Sequence, residues 1–425
     1  WIMGKQQELN TVQGQTVPAN HFMPYASHHK VLIIGAGSAG LTMAAMLAKK
    51  MDTPDIALID PSESHYYQPL WTLIGAGVYN KEKSLKPMAE VIPEDVTWIK
   101  DAASTFYPEQ NMVTTQSGKA YSYEHLIVAP GIQINWDGIP GLLENLGKNG
   151  VCSNYSYRDV EYTYECMKSL KKGDTAIFTQ PATPIKCGGA PQKIMYLTCD
   201  YLRKQGRLND VDVLFNSAGG IIFGVPDFAK VLNEVIDRYG LTTNFKHNLV
   251  AIHGDKKEAD FVITKEDGST EEKTFKYDML HVTPPMQAPE FVKNSSLANE
   301  AGWVEVDKET LQHVRYPNVF SLGDVASTPN AKTGAAVRKQ AQVLGHNIMQ
   351  YMKHGEIKSP KKYNGYGSCP LITGYGKTVL AEFDYDNNPT PSFPMNQARE
   401  RWDMYMVKKH GIPFLYWNLM IKGNP

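Results

Sequence analysis

The chain has 425 residues, 42% hydrophobic and 20% charged, which is apolar material for two or three packed domains. Lys and Arg number 43 against 44 Asp and Glu, so the balance gives no electrostatic reason to expect nucleic acid as a partner. Five scattered cysteines without a Cys-x-x-Cys pair exclude a disulfide-rich scaffold and a zinc ribbon, and no metal site is expected.

Residues 1–28 read as a polar tail that lacks the apolar core of a signal peptide, and no apolar run approaches the ~20 residues that span a bilayer. His29–Ile34 is a short β-branched run, the pattern of a buried strand. It enters Gly35-Ala36-Gly37-Ser38-Ala39-Gly40 and then a helical stretch, and a second strand, Ile56–Ile59, ends at Asp60. In a βαβ unit of this kind the first glycine makes the tight turn, the second lets backbone approach a pyrophosphate, and the third lets helix pack on strand. Asp60, twenty residues after Gly40, is placed to accept hydrogen bonds from a ribose. An ordinary glycine-rich turn is the competing reading; the intact order of strand, helix, strand and acid argues against it.

A strand at His125–Val128 follows, and then a second unit: strand Thr175–Thr179, helix Gln192–Lys204, strand Val211–Phe215 and a helix at Asp227–Tyr239. Its turn, Gln180 to Pro191, holds three prolines, which remove backbone donors, and its second strand ends at Asn216 rather than at an acid. The fold is expected to be retained and nicotinamide binding lost. Further on, an apolar strand leads into Gly323-Asp324, ahead of a long helix at Thr333–Met352. In flavoproteins with two dinucleotide domains such an aspartate meets the ribityl chain, and the helix end favours negative charge on the reduced ring, so FAD is the expected occupant of the first pocket.

Cys187 sits in the proline-rich turn just before a helix, with Lys186 adjacent, a setting that lowers a thiol pKa. Cys369 lies in a loop-like stretch, Tyr366 to Tyr375, outside any regular period. Cys166 and Cys199 fall in helical patterns as packing residues, and Cys152 stands at a strand start with no companion in sequence. The last sixty or so residues are rich in aromatic residues. Between Arg399 and Pro425, five Lys or Arg against two acids are interleaved with Trp, Tyr, Phe and Met, a composition suited to a helix lying on anionic lipid.

His65-Tyr66-Tyr67-Gln68-Pro69-Leu70-Trp71, Pro184 to Lys193, His281 to Met286 and Ser368-Cys369-Pro370-Leu371 resemble the sulfide:quinone oxidoreductases, in the branch of the mitochondrial enzyme and its bacterial relatives. The likeness runs from about His29 to Ile421. It implies an α/β fold with two Rossmann-like dinucleotide-binding domains of the flavoprotein disulfide-reductase type and a C-terminal membrane-associating region. The expected division is a flavin domain at 29–134 and 286–355, a second Rossmann-like domain at 135–285, and a quinone- and membrane-facing region at 356–425.

The resemblance further implies a redox disulfide carried by Cys187 and Cys369 and FAD held noncovalently. FAD contacts would fall on Ser38, Ala39, Asp60, Gln68, Ala103, Asp324 and Gly334, beside Gly35, Gly37, Gly40 and Gly323. Hydrogen sulfide would be oxidised, a membrane quinone reduced, and the sulfur passed to sulfite, glutathione, coenzyme A or more sulfide. The chain would lie peripherally on a bacterial cell membrane, or on the mitochondrial inner membrane in a eukaryote; self-association is left open. Phe393, Tyr416 and Trp417 are placed in the quinone's neighbourhood. The rival readings are a type II NADH:quinone oxidoreductase, the flavoprotein subunit of a flavocytochrome sulfide dehydrogenase, and a non-catalytic flavin-bound redox sensor.

Overall fold

The computed structural model describes residues 25–425 and, ahead of them, the backbone of two strands, Leu9–Val12 and Gln15–Pro18, which pair antiparallel. Most of the polar tail expected at 1–28 lies outside the described residues.

The first sheet is built on β1 (Ser27–Ile34), whose residues Val31 to Ile34 are buried. The helix α1 (Ser38–Lys50) returns the chain to β2 (Ile56–Ile59), and β3 (Val96–Ile99), β4 (Ala103–Tyr107), β5 (Met112–Thr115) and β6 (Ala120–Val128) follow. The order is β3-β2-β1-β6-β5-β4, parallel from β3 to β6 and closed by an antiparallel hairpin. α1 is buried from Ala39 to Leu47, which its run of small and apolar residues allows.

The second sheet takes β7 (Val151–Cys152), then α2 (Val160–Ser169), β8 (Thr175–Gln180), α3 (Ala190–Lys204), β9 (Asp212–Ser217), α4 (Pro226–Tyr239), β10 (Thr242–Phe245) and, after an excursion, β11 (Met279–His281). The five strands run parallel in the order β7-β11-β8-β9-β10. The excursion is a three-stranded antiparallel sheet, His247–His253, Glu258–Thr264 and Thr270–Lys276, which the sequence reading lacks. Its outer strand, Thr-Glu-Glu-Lys-Thr-Phe-Lys, is exposed at nearly every position and so carries no apolar alternation to reveal it.

The chain then returns to the first sheet. β12 (Val319–Ser321) pairs parallel with β6, and α5 (Gly334–His354) follows. Next comes a two-stranded ribbon, β13 (Gly367–Gly374) with β14 (Lys377–Phe383). Cys369 therefore lies on a strand, not in the loop its sequence implied; Gly367, Ser368 and Pro370 hide the strand signal, and a ribbon's free edge tolerates proline. The chain closes with α6 (Trp402–Met406), a π-helical turn at Val407–Gly411 and α7 (Ile412–Asn418). Among the described residues no helix is long and apolar enough to cross a membrane.

Candidate flavin cradle and dithiol site

The three glycines after β1 behave differently. Gly35 adopts φ +96°, and a Cβ there would come within 2.4 Å of the Ala129 carbonyl oxygen. A Cβ on Gly40 would lie 1.7 Å from the Gly35 oxygen, so α1 reaches its strand only without one. A Cβ on Gly37 would meet nothing within 4 Å, because the start of α1 faces open space. The unpaired N–H groups of a helix N-terminus are thus left free for a pyrophosphate. Beside them the Asp60 carboxylate accepts from the backbone N–H of Ala36 (2.7 Å) and Ser62 (2.8 Å), while burial pushes its pKa up.

The return segment meets this cradle. Gly323, at φ +79°, donates its N–H to Gln340 Oε1 (2.8 Å), and its Cβ position lies 3.2 Å from the Ala39 side chain. Burial raises the Asp324 carboxyl, against the opposing charges of Lys332 and Lys186. Lys332 donates from Nζ to the Asp324 carbonyl at 2.7 Å. Gly334 is exposed at the start of α5, which Thr333 caps by accepting the Ala336 N–H at 3.2 Å. Gln68 is exposed at the head of a 3-10 turn, Gln68–Leu70. Ala103 is buried at the start of β4, four residues past Ile99, whose carbonyl takes the Asp60 N–H at 3.2 Å. An open helix start, a ribose-competent acid and a second helix beside Asp324 fit a flavin dinucleotide.

The dithiol stands next to the return segment. Cys187 is held at φ +57°, a left-handed conformation that costs a non-glycine residue about 1 kcal/mol, with its N–H on the Lys332 carbonyl (2.8 Å) and its own carbonyl accepting from Ala190 (2.8 Å). Lys193 Nζ lies 3.1 Å from the Cys187 sulfur. Burial alone would raise this thiol, but Lys193, Lys408 and the Gly189 N–H outweigh it and hold it below the ordinary value. Cys369 is pushed up to about 12 by burial, with the Cys187 charge adding to the effect. The two sulfurs feel one another and share the Gly189 N–H, Lys193 and Lys408 as surroundings. All five cysteines are free thiols.

The strand that carries Cys369 is fastened to the helices behind it. Asp200 on α3 accepts the Tyr375 N–H (2.8 Å), and the Tyr239 hydroxyl on α4 donates to the Thr373 carbonyl (2.6 Å). Thr373 in turn donates to Glu400 (2.6 Å), which is gripped by the two terminal guanidinium nitrogens of Arg238 at 2.6 and 2.8 Å.

Several expectations shift at this site. Lys186 does not serve Cys187; it is pushed down to about 8 by burial and faces Asp324 instead. The cation beside Cys187 is Lys193, one turn into the next helix. Lys408, which sequence placed among lipid-facing basic residues, is 3% exposed, donates to the Pro69 carbonyl at 3.0 Å, and is pushed down to about 7 by burial. Cys152 does have a neighbour: burial and the nearby Cys166 thiol push it up, and its own thiol donates to the Leu280 carbonyl at 3.6 Å. Tyr416 and Trp417 are buried rather than turned to lipid, and both pack on His65, with Tyr416 hydrogen-bonded to Ser38 (2.8 Å) and to His65 (2.6 Å). Phe393 takes no part in that ring cluster and is 37% exposed. Lys193, Lys408 and His65 were not singled out from sequence. The first and last stand inside the quoted motif stretches; Lys408 carries no local signal.

Comparison with known proteins gives the same frame. The sequence profile of the pyridine nucleotide-disulphide oxidoreductases matches residues 29–161. A mitochondrial sulfide:quinone oxidoreductase of Mus musculus is 46% identical over 397 residues, covering 93% of this chain and 87% of that protein. One of Dictyostelium discoideum is 48% identical over 396 residues, covering 93% and 86%. The solved sulfide:quinone oxidoreductase of Aquifex aeolicus superposes with a TM-score of 0.77 at 20% identity, over 94% of this chain and 92% of that one, a likeness of fold. With such identity over nearly its whole length, the chain belongs to the sulfide:quinone oxidoreductase family.

Proposed function

We propose that the chain oxidises hydrogen sulfide through Cys187 and Cys369, sends the two electrons to a membrane quinone, and passes the sulfur to an acceptor. The observation that carries this is the pairing of a thiol held low, Cys187 against Lys193, with a thiol held high, Cys369, beside a flavin cradle.

In the disulfide form of the pair, hydrosulfide attacks the Cys369 sulfur. The S–S bond breaks, a new S–S bond makes a persulfide on Cys369, and Cys187 leaves as thiolate. That direction follows from the electrostatics, because the better-stabilised thiolate is the better leaving group and Lys193 and Lys408 stabilise it. Lys193, buried beside the Cys187 sulfur, attracts the incoming anion. A bound flavin would supply the two-electron acceptor that lets Cys187 and Cys369 return to the disulfide once the persulfide sulfur has left, the two electrons passing on to quinone. Gly35, Gly37, Gly40, Ser38 and Ala39 would hold its pyrophosphate, Asp60 a ribose, and Asp324, Gly323 and Gly334 the return side, with Gln68 and Ala103 at its margins.

Noncovalent flavin attachment is supported by the placement of Cys152, buried in the second sheet against Cys166. The persulfide sulfur would go to sulfite, glutathione, coenzyme A or sulfide. Peripheral attachment to a membrane is supported by Trp402, Phe414, Leu415 and Leu419, which are 66, 63, 49 and 42% exposed near the chain's end. The curated relatives are mitochondrial by name, which favours the mitochondrial inner membrane. Tyr416 and Trp417 remain candidates for the wall of a quinone pocket; Phe393 stands apart from them. Residues 29–134 with 286–355 would form the flavin domain and 135–285 the second domain. An NADH-oxidising alternative is disfavoured by Pro181 and Pro184 in the turn after β8.

Purified protein is mixed with sulfide and a short-chain quinone, beside Cys187→Ser and Cys369→Ser. Both variants are expected to lose sulfide-dependent quinone reduction, and NADH is expected to leave the flavin oxidised. Full activity in both variants would refute the relay.

A further inference from the structure

The residues from Ile412 onward touch the flavin cradle at its most sensitive point. The Tyr416 hydroxyl is 2.8 Å from Ser38 Oγ, the first residue of α1, and 2.6 Å from His65 Nε2. His65 Nδ1 lies 3.1 Å from the Ala36 carbonyl oxygen. That oxygen can only accept, so Nδ1 carries the imidazole proton. Burial pushes His65 down to about 4, so the ring is neutral and Nε2 is an acceptor. Tyr416 therefore donates to His65, and Ser38 donates to Tyr416. The chain of bonds has one direction and begins and ends on the glycine turn itself.

The rest of the segment is seated on the same helix. Tyr67 packs on Tyr416 with ring centroids 4.4 Å apart, and Met420 and Ile421 are buried. Gly423, at φ +83°, lies so close to α1 that a Cβ there would be 2.7 Å from the Ala45 carbonyl carbon. The Pro425 carbonyl accepts from Gln342 on α5 at 2.8 Å. Both helices that address the flavin are thus bridged by one short piece of chain.

We propose that residues 412–425 form a latch on the flavin cradle, with His65 as its positioning residue, so that docking of this segment and retention of the flavin are one linked equilibrium. The inference rests on the flavin reading given above. Ordering Ser38 and the start of α1 is a cost shared by latch and flavin; whichever binds first leaves the site ordered for the other.

The full chain is loaded with FAD, diluted, and FAD release is followed by its fluorescence. Tyr416→Phe keeps the ring and removes only the oxygen, leaving Ser38 and His65 without their shared partner. Its FAD dissociation is expected to be about tenfold faster than that of the wild type. Hydrogen exchange of the wild type supplies the converse, with amides of 416–421 slower to exchange when FAD is bound than after it is stripped. FAD that leaves Tyr416→Phe at the wild-type rate, or 416–421 exchange that ignores FAD, overturns the latch. A chain that takes up no FAD overturns the flavin reading as well, so the two failures are told apart by the absorption spectrum before dilution.

Discussion

Lys193 Nζ sits 3.1 Å from the sulfur of Cys187, on the first turn of the helix into which the Cys187 turn leads. A buried thiol left to itself is harder to ionise; here an ammonium on the adjoining element reverses the sign. Lys193→Gln leaves burial unopposed by its strongest partner. The rate of Cys187 alkylation by iodoacetamide at neutral pH should fall several-fold, and its pH profile should move to higher pH, read by mass spectrometry of the Cys187 peptide.

The same asymmetry orders the two thiols. Cys187 is held low and Cys369 is pushed up to about 12. In the reduced protein near pH 7.5, limiting iodoacetamide should label Cys187 well before Cys369. Cys152, Cys166 and Cys199 are buried and should stay unlabelled until the protein unfolds. Equal labelling of Cys187 and Cys369 would contradict the assignment of Cys187 as leaving group.

The three glycines of the cradle separate folding from binding. Gly40→Ala drives a Cβ into the Gly35 carbonyl and should cost about 1–3 kcal/mol of stability, visible as a lower Tm of the flavin-free protein. Gly37→Ala meets no protein atom and should leave that Tm unchanged while reducing FAD uptake, measured by absorbance after gel filtration. A matched loss of Tm in both variants would show that Gly37 is structural.

Lys408 gives a pH signature of known sign. Burial takes its amine from an ordinary 10.5 down to about 7. Between about pH 7 and 10.5 the unfolded chain holds a proton there that the folded chain has released, so this group's contribution to stability rises with pH across that window and is flat below it. Lys408→Met removes the titration. Across pH 7 to 9.5 the wild-type Tm should therefore gain on that of the variant, followed by circular dichroism in matched buffers.

Much of this was legible in the residues. The turn from Gly35 to Gly40 and Gly323 announce themselves because positive φ or close backbone approach excludes a side chain there, Asp60 and Asp324 because they follow a strand at the expected spacing, and Cys187 because of its proline-rich setting. What stayed hidden depends on tertiary contact. Lys408 is a basic residue among basic residues until the π-helical turn at Val407–Gly411 directs it inward to Pro69 and the dithiol. Tyr416 reads from sequence as a neighbour of the quinone, and nothing local tells that His65 and Ser38 claim its hydroxyl. The strand of Cys369 carries no signal of its own, because its partner strand and not its composition makes it one.

The left-handed backbone at Cys187 bears on how this position can change. A glycine there would sit at lower energy, and an asparagine would be tolerated nearly as well. Either replacement relaxes the turn and discards the reactive atom. Conformational preference and chemistry therefore pull in opposite directions at one residue, and a lineage released from handling sulfur would be expected to drift toward glycine here first, becoming sturdier as it fell silent.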